Sequence, residues 1–439
     1  FGSSLKGSAI LCRAPALARG CAEALRACAT MAANFQDVKR SPTFMVGSAQ
    51  QRGMLEHFQK REQHFTEEYQ KNKPLCFSAR AYQQTHPAKV RMGYKDADAT
   101  LTSPMLLGVC DGVSQLEEFN MDPSLLPQEI LRICEELAML QLMPDMPVSP
   151  QDAYRGPISL LKEAYQASES FGSTTVLLAA LDNGTRIHGK LHPMIAVLSI
   201  GDCELLMLRR TNGRPSDLEA VFHTEMQRID YNVQTPLQLA RVDERIDEDF
   251  DESIALEVIE KGSAVHCVSA YEGDILILGS DGVFDNLFLD EIVEICNEIL
   301  RPGKTVDFVP TTPAILSQVA HRIVKDSHAK SDAKGGQFLD TPIGKGGKVD
   351  DTSVVVAEIV EWTEAHKEIW SQVRQKRKWK SVLSCGGMQC GGAATSSCSN
   401  ACQADDDEDR RAKAKSRGAE NESEYSESDD EEKPGCSIA

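Results

Sequence analysis

Leu106-Leu107-Gly108-Val109-Cys110-Asp111-Gly112-Val113 is the stretch that decides how the chain is read. An apolar run that ends in a carboxylate followed at once by glycine has the pattern of a buried strand carrying a charged ligand at its tip, where the backbone turns and approaches something closely. Aspartate is depleted in strands, so its place at the end of such a run needs a reason. The construction recurs at Ile275-Leu276-Ile277-Leu278-Gly279-Ser280-Asp281-Gly282-Val283, and in related form at Ile195-Ala196-Val197-Leu198-Ser199-Ile200-Gly201-Asp202. Three strand-end aspartates in one chain suggest a metal site.

The chain has 439 residues, enough for one large domain with extensions. Its formal charge of −19 argues against a nucleic-acid binder, since phosphate backbones need a basic surface. A phosphorylated protein stays open as a substrate, because metal ions make a site locally electropositive. Of the 14 cysteines, Cys12, Cys21 and Cys28 lie near the start and Cys385, Cys390, Cys398, Cys402 and Cys436 near the end. The others sit in apolar segments and read as small buried hydrophobes of a reduced, intracellular core. No apolar run approaches the roughly 18 residues of a membrane span.

Residues 1–75 form an extension. Up to residue 33 it is alanine-rich, with Arg13, Arg19 and Arg26 against the single acid Glu23, the composition of a mitochondrial or plastid transit peptide. Translation from Met31 would instead leave those residues outside the protein and the product cytoplasmic. Gln50 to Lys71 reads as a polar surface helix. The folded domain is expected over 76–362, with Pro104 to Asp111 as its opening strand. Leu125 to Leu142 and Pro157 to Ser170 are expected helices. Thr174 to Leu181 reads as a strand, and Met194 to Ile200 as another, with Glu204 to Leu208 returning as its hairpin partner. Asp274 to Gly279 and Ser353 to Val360 read as strands, and Phe288 to Leu300 and Pro313 to Lys325 as helices. Asp326 to Val349 reads as a long Gly- and Lys-rich loop. Hairpin-like strands with helices grouped between them make the fold α+β. Residues 363–404 hold a basic helix end and a Cys/Gly-rich segment, and 405–439 an acidic tail too polar to fold.

Asp96, Asp111, Asp202, Asp281 and Asp350 are the acids at the ends of apolar runs. An all-oxygen set without clustered histidine or cysteine favours Mg²⁺ or Mn²⁺ over zinc. Without cations, so many carboxylates around one point would not all stay ionised. Two metals sharing Asp111 would hold a water between them and lower its pKa, giving a hydroxide for in-line attack on phosphorus. Arg91 is the nearest cation before Asp96 and suits a bidentate grip on phosphate oxygens. Each Asp-Gly pair, taken alone, is also an ordinary turn.

Read together, these residues resemble the metal-dependent (type 2C) protein phosphatases, in the Asp-Gly-Val branch that includes mitochondrial and plastid members. The resemblance rests on Arg91-Met92-Gly93-Tyr94-Lys95-Asp96-Ala97, Gly108 to Val113, Phe171-Gly172-Ser173-Thr174-Thr175 and Ile200-Gly201-Asp202-Cys203. It continues through Tyr231-Asn232 with Pro236-Leu237-Gln238-Leu239, then Gly279 to Asn286 and Gly346 to Ser353. It implies two packed antiparallel-type β-sheets flanked by helices on both sides, and a monomeric protein serine/threonine phosphatase acting on phosphoproteins. It further implies one metal on Asp111, Asp281 and Asp350, and a second on Asp111 and the Gly112 carbonyl. A weaker third would lie on Asp202 and Asp281, with Asp96 acting through water and Arg91 on the phosphate. Two positions depart from the pattern. Lys95 stands where many relatives carry a second-metal glutamate, and Val113 where many carry a histidine that protonates the leaving oxygen.

Two other readings compete. Asp96-Ala97-Asp98-Ala99-Thr100 matches the signature of phosphatases that form an aspartyl-phosphate, but the buried strand that should precede it is missing. The fold could also serve as a catalytically weak scaffold, with Lys95 spoiling the second metal site. Cys436-Ser437-Ile438-Ala439 fits a farnesylation box, and nearby cysteines could add a second lipid for weak membrane association.

Overall fold

The computed structural model describes residues 73–119, 121–146, 148–150, 152–187, 190–210, 217–228, 235–242, 250–301, 308–331 and 338–385, without the side chains of 374 and 376–385. The chain divides into two units, Phe1–Glu368 and Ile369–Ala439. The expected leader, the Tyr231-Asn232 pair, the acidic tail and Cys436 all lie outside the described residues.

Ten strands of the first unit build its two large sheets. They are β1 (Leu75–Gln84), β2 (Ala99–Thr102), β3 (Leu106–Cys110), β4 (Val176–Asp182), β5 (Met194–Ile200), β6 (Glu204–Arg209), β7 (Glu219–His223), β8 (Ala264–Ser269), β9 (Ile275–Gly279) and β10 (Thr352–Glu361). One sheet runs β1-β10-β9-β6-β7 and the other β8-β5-β4-β3-β2, and the pairings are antiparallel. β3 and β9 are buried along their whole length, which is why they read as unbroken apolar runs rather than alternating ones. Each has the opposite sheet on one face and helices on the other.

The helices follow in chain order as α1 (Pro87–Met92), α2 (Leu125–Gln141), α3 (Pro157–Ala167), α4 (Glu252–Glu257), α5 (Asp281–Phe284), α6 (Leu289–Ile299), α7 (Pro313–Ser331) and α8 (Glu364–Cys385). α2 packs on β2 and β3, and α7 on β1 and β10, so each sheet has a helical layer outside it. This is the α+β sandwich that the motifs implied. Under α6 and α7, Leu206, Ile277, Val354 and Val356 meet Ile292, Leu316, Val319 and Ile323, all fully buried. Truncating one of these isoleucines to alanine would cost about 2–5 kcal/mol.

Four sequence expectations are corrected. Pro104 to Asp111 does not open the domain, because β1 and β2 precede β3; polar Gln83 and Gln84 and the Ser78 and Arg80 positions hid β1, which is half-buried along much of its length. β5 and β6 are not hairpin partners. β5 pairs with β4 and β8, whereas β6 pairs with β9 and β7 in the other sheet. Gly201, with φ +102°, turns the chain from one layer to the other, a backbone conformation that suits glycine. The supposed loop from Asp326 begins as helix, since α7 runs to Ser331 with Ser327 buried, and it later forms a short hairpin of Asp340–Thr341 with Gly344–Lys345. Cys267 is exposed on β8, while Cys76, Cys110, Cys134, Cys203 and Cys296 are the buried ones.

Candidate metal centre

Both sheets deliver carboxylates to the same end of the sandwich. Asp98, Asp111 and Asp202 adjoin β2, β3 and β5 of one sheet; Asp281, Asp350 and Asp351 adjoin β9 and β10 of the other. Carboxylate oxygens of Asp111, Asp202 and Asp281 lie within 4.8 Å of one another, and so do those of Asp96, Asp98 and Asp351.

Backbone contacts fix the two Asp-Gly turns. Thr175 donates from its amide to the Asp111 carbonyl at 2.9 Å, the Thr174 hydroxyl donates to the same carbonyl at 3.0 Å, and the Asp111 amide donates to Thr175 Oγ1 at 3.1 Å. A Cβ on Gly112 would come within 2.5 Å of the Ala97 and Pro123 carbonyl oxygens, and one on Gly282 within 2.2 Å of the Asp351 oxygen. The backbone around both aspartates is therefore closed to any side chain. Asn286 ties the second turn to the loop before β10: its amide nitrogen donates to the Gly282 carbonyl at 2.9 Å, and its oxygen accepts from the Lys348 amide at 2.6 Å.

Three basic side chains each bridge two acids. Lys89 donates to Asp350 at 2.8 Å and to Asp351 at 2.7 Å. Lys348 contacts Asp281 and lies 3.0 Å from Asp350. Arg228 lies 3.4 Å from Asp202 and 2.8 Å from Asp285. Burial would raise Asp350, but Lys348 and Lys89 hold it below the usual carboxylate range. Burial and then the charge of Asp98 push Asp111 well above that range, and burial with the charge of Asp96 does the same to Asp98. Asp281 is pushed up to about 7 by burial, despite Lys348.

The donor set fits a hard divalent cation. Both oxygens of Asp98 and one each of Asp202, Asp281 and Asp351 are buried without a hydrogen-bond partner. Such oxygens are costly unless a cation meets them.

Asp111, Asp202 and Asp281 come together as expected, with Asp350 joined to them through Lys348. Asp96 falls in the neighbouring group. Arg91 is exposed on α1, and the fold does not bring it into the cluster; the cation it turns inward is Lys89. Lys95 is also outside, with a side chain 69% exposed and 3.2 Å from Asp122. The reason is register: Ala99 pairs with Cys110, which sets Asp98 rather than Asp96 across from Asp111. The Lys95 ammonium therefore brings no positive charge into the cluster. Asp98, Asp351, Asp285, Lys89, Lys348 and Arg228 are the site residues that motif reading missed. The alternation of Asp98-Ala99-Thr100-Leu101 was the available signal for the first of them.

No family model matches the chain. Probable protein phosphatase 2C 26 of Arabidopsis thaliana is 29% identical over 299 residues, spanning 65% of this chain and 85% of that protein. Probable protein phosphatase 2C 1 of Oryza sativa subsp. japonica is 27% identical over 287 residues, spanning 62% and 72%. Among solved structures, the photosystem II phosphatase PBCP is 24% identical with a TM-score of 0.45, covering 64% of this chain and 98% of its own. The chain is similar to type 2C protein phosphatases over 62% to 65% of its length.

Proposed function

We propose that the protein hydrolyses phosphoserine and phosphothreonine esters on protein substrates, using two Mg²⁺ or Mn²⁺ ions held at Asp111 and its neighbours. The observation that carries this reading is the meeting of Asp111, Asp202 and Asp281 from two different sheets, with buried carboxylate oxygens left unpartnered. Asp111, Asp281 and Asp350 would hold one cation, and Asp111 with the Gly112 carbonyl and Asp98 the second. When bound, such cations supply charge to the phosphoryl oxygens and acidify a water that serves as nucleophile.

The chain's own residues do the rest. Thr174 and Thr175 fix the Asp111 backbone so that its carboxylate keeps one orientation. Asn286 holds the Asp281 turn against the Lys348 loop, setting the separation of acids from the two layers. Val113 has no proton to give, so the leaving alkoxide takes its proton from solvent. With Lys95 outside the cluster, the case for a weak scaffold loses its main support.

Hydrolysis of a phosphoserine peptide, followed as phosphate release during Mn²⁺ titration, tests the reading. Activity should need the cation and fall at least about 100-fold in Asp281→Asn. Absence of activity at millimolar Mn²⁺, or full activity in Asp281→Asn, would defeat it.

A further inference from the structure

Arg228 sits between Asp202 and Asp285. Its side chain is 13% exposed, and those of Asp202 and Asp285 are 3% and 5% exposed. One terminal nitrogen donates to both oxygens of Asp285, at 2.8 and 3.1 Å, and Nε lies 3.4 Å from Asp202 Oδ2. Asp202 thus gives one oxygen to the guanidinium, and its other oxygen is buried without a partner. The arginine is itself anchored, since residues 228 and 236 form an isolated antiparallel bridge. Its charge is permanent, and its neighbours stabilise it: burial opposes the charged form, but the Asp285 and Asp202 carboxylates more than offset that.

We propose that Arg228 is a built-in cation serving the Asp202–Asp285 side of the centre, so that no divalent ion is recruited there. The third metal expected on Asp202 and Asp281 would share Asp202 with a hydrogen-bonded guanidinium that is already desolvated, and would meet its repulsion. The chain then takes up two divalent ions, not three, and Asp202 is held by a side chain rather than by an ion. Arg228 is a positioning residue, holding Asp202 beside Asp111 and Asp281. The inference rests on the two-cation reading above.

Equilibrium dialysis of the full chain against Mn²⁺, with the bound metal counted by mass spectrometry, tests it. The wild type should saturate at two equivalents above those retained by an Asp111→Asn/Asp202→Asn control, which subtracts ions held by the acidic tail. Arg228→Ala should gain one weaker equivalent that Arg228→Ala/Asp202→Asn loses, and Arg228→Lys should stay at two. Three equivalents in the wild type overturn the inference and leave the two-cation centre standing; so does an Arg228→Ala count equal to the wild type's. No uptake by the wild type above the control overturns both. The wild-type count decides the matter even where Arg228→Ala does not fold.

Discussion

Asp98 and Asp111 flank the last register pair between β2 and β3, Ala99 with Cys110, and the charge of Asp98 is the largest influence after burial on the ionisation of Asp111. A buried and a half-buried carboxylate placed across from one another by backbone pairing repel unless a cation lies with them. Asp98→Asn should therefore lower Mn²⁺-dependent turnover by roughly 100-fold, while Asp96→Asn, which alters a half-buried carboxylate in the neighbouring group, should cost less than about 10-fold. The same Asp98→Asn change should stabilise the metal-free protein by about 1 kcal/mol, roughly 2–4 °C in Tm, because it removes a buried charge. Steady-state kinetics and thermal melts in chelator check both signs.

Asp111→Asn should cost more activity than Asp202→Asn. Asp111 joins both cations in the proposed arrangement, whereas Asp202 has Arg228 on one of its oxygens and contributes from the edge. Parallel phosphopeptide assays at saturating Mn²⁺ give the order, and equal losses would count against the bridging role.

Val113 makes the rate sensitive to the leaving group. Its amide donates to the Ser173 carbonyl at 2.9 Å and its side chain packs with Leu116, Met121 and Val242, so no proton donor stands there. Rates across aryl and alkyl phosphates should fall steeply as leaving-group pKa rises, and Val113→His should flatten the slope. A flat profile for the wild type would mean another group donates.

Gly112→Ala places a methyl group against two backbone oxygens at 2.5 Å, neither of which is a flexible side-chain end. About 1–3 kcal/mol of stability should be lost in urea denaturation, with weakened Mn²⁺ uptake as the Asp111 turn shifts.

Alkylation should separate the cysteines. Burial pushes the thiols of Cys76 and Cys296 up to about 12 and raises those of Cys110, Cys134 and Cys203 as well, while Cys267 is exposed. Among these six, native protein at pH 8 should label at Cys267 alone, and moving to pH 9 should add none of the other five, because their thiolates form only far above that range. Peptide mapping reads the result.

The strand-end aspartates were legible because a charge after a fully apolar run contradicts strand preference and so announces itself. Periodicity likewise found α2, in which Leu126, Ile130, Leu131, Ala138 and Met139 are buried while Leu140 is 56% exposed. What a sequence does not carry is which layer a strand joins. β5 and β6 look like a hairpin because both are apolar and close together, yet the Gly201 turn sends them to different sheets. The misplacement at Asp96 has the same origin: two aspartates two residues apart share a side of an extended chain, and only pairing with β3 singles out Asp98. Lys89, Lys348 and Arg228 were illegible because their partners are distant in the chain and bear on them only through the fold.

The even division of the acids between the layers has a mechanical side. Asp98, Asp111 and Asp202 ride on one sheet and Asp281, Asp350 and Asp351 on the other, so ions seated among them would rivet two plates that already meet through apolar packing and hydrogen bonds such as that from Arg209 to the Ser269 carbonyl. Loading the centre should then damp sliding of one plate over the other, and substrate affinity and the breathing of the whole sandwich become properties of a single joint.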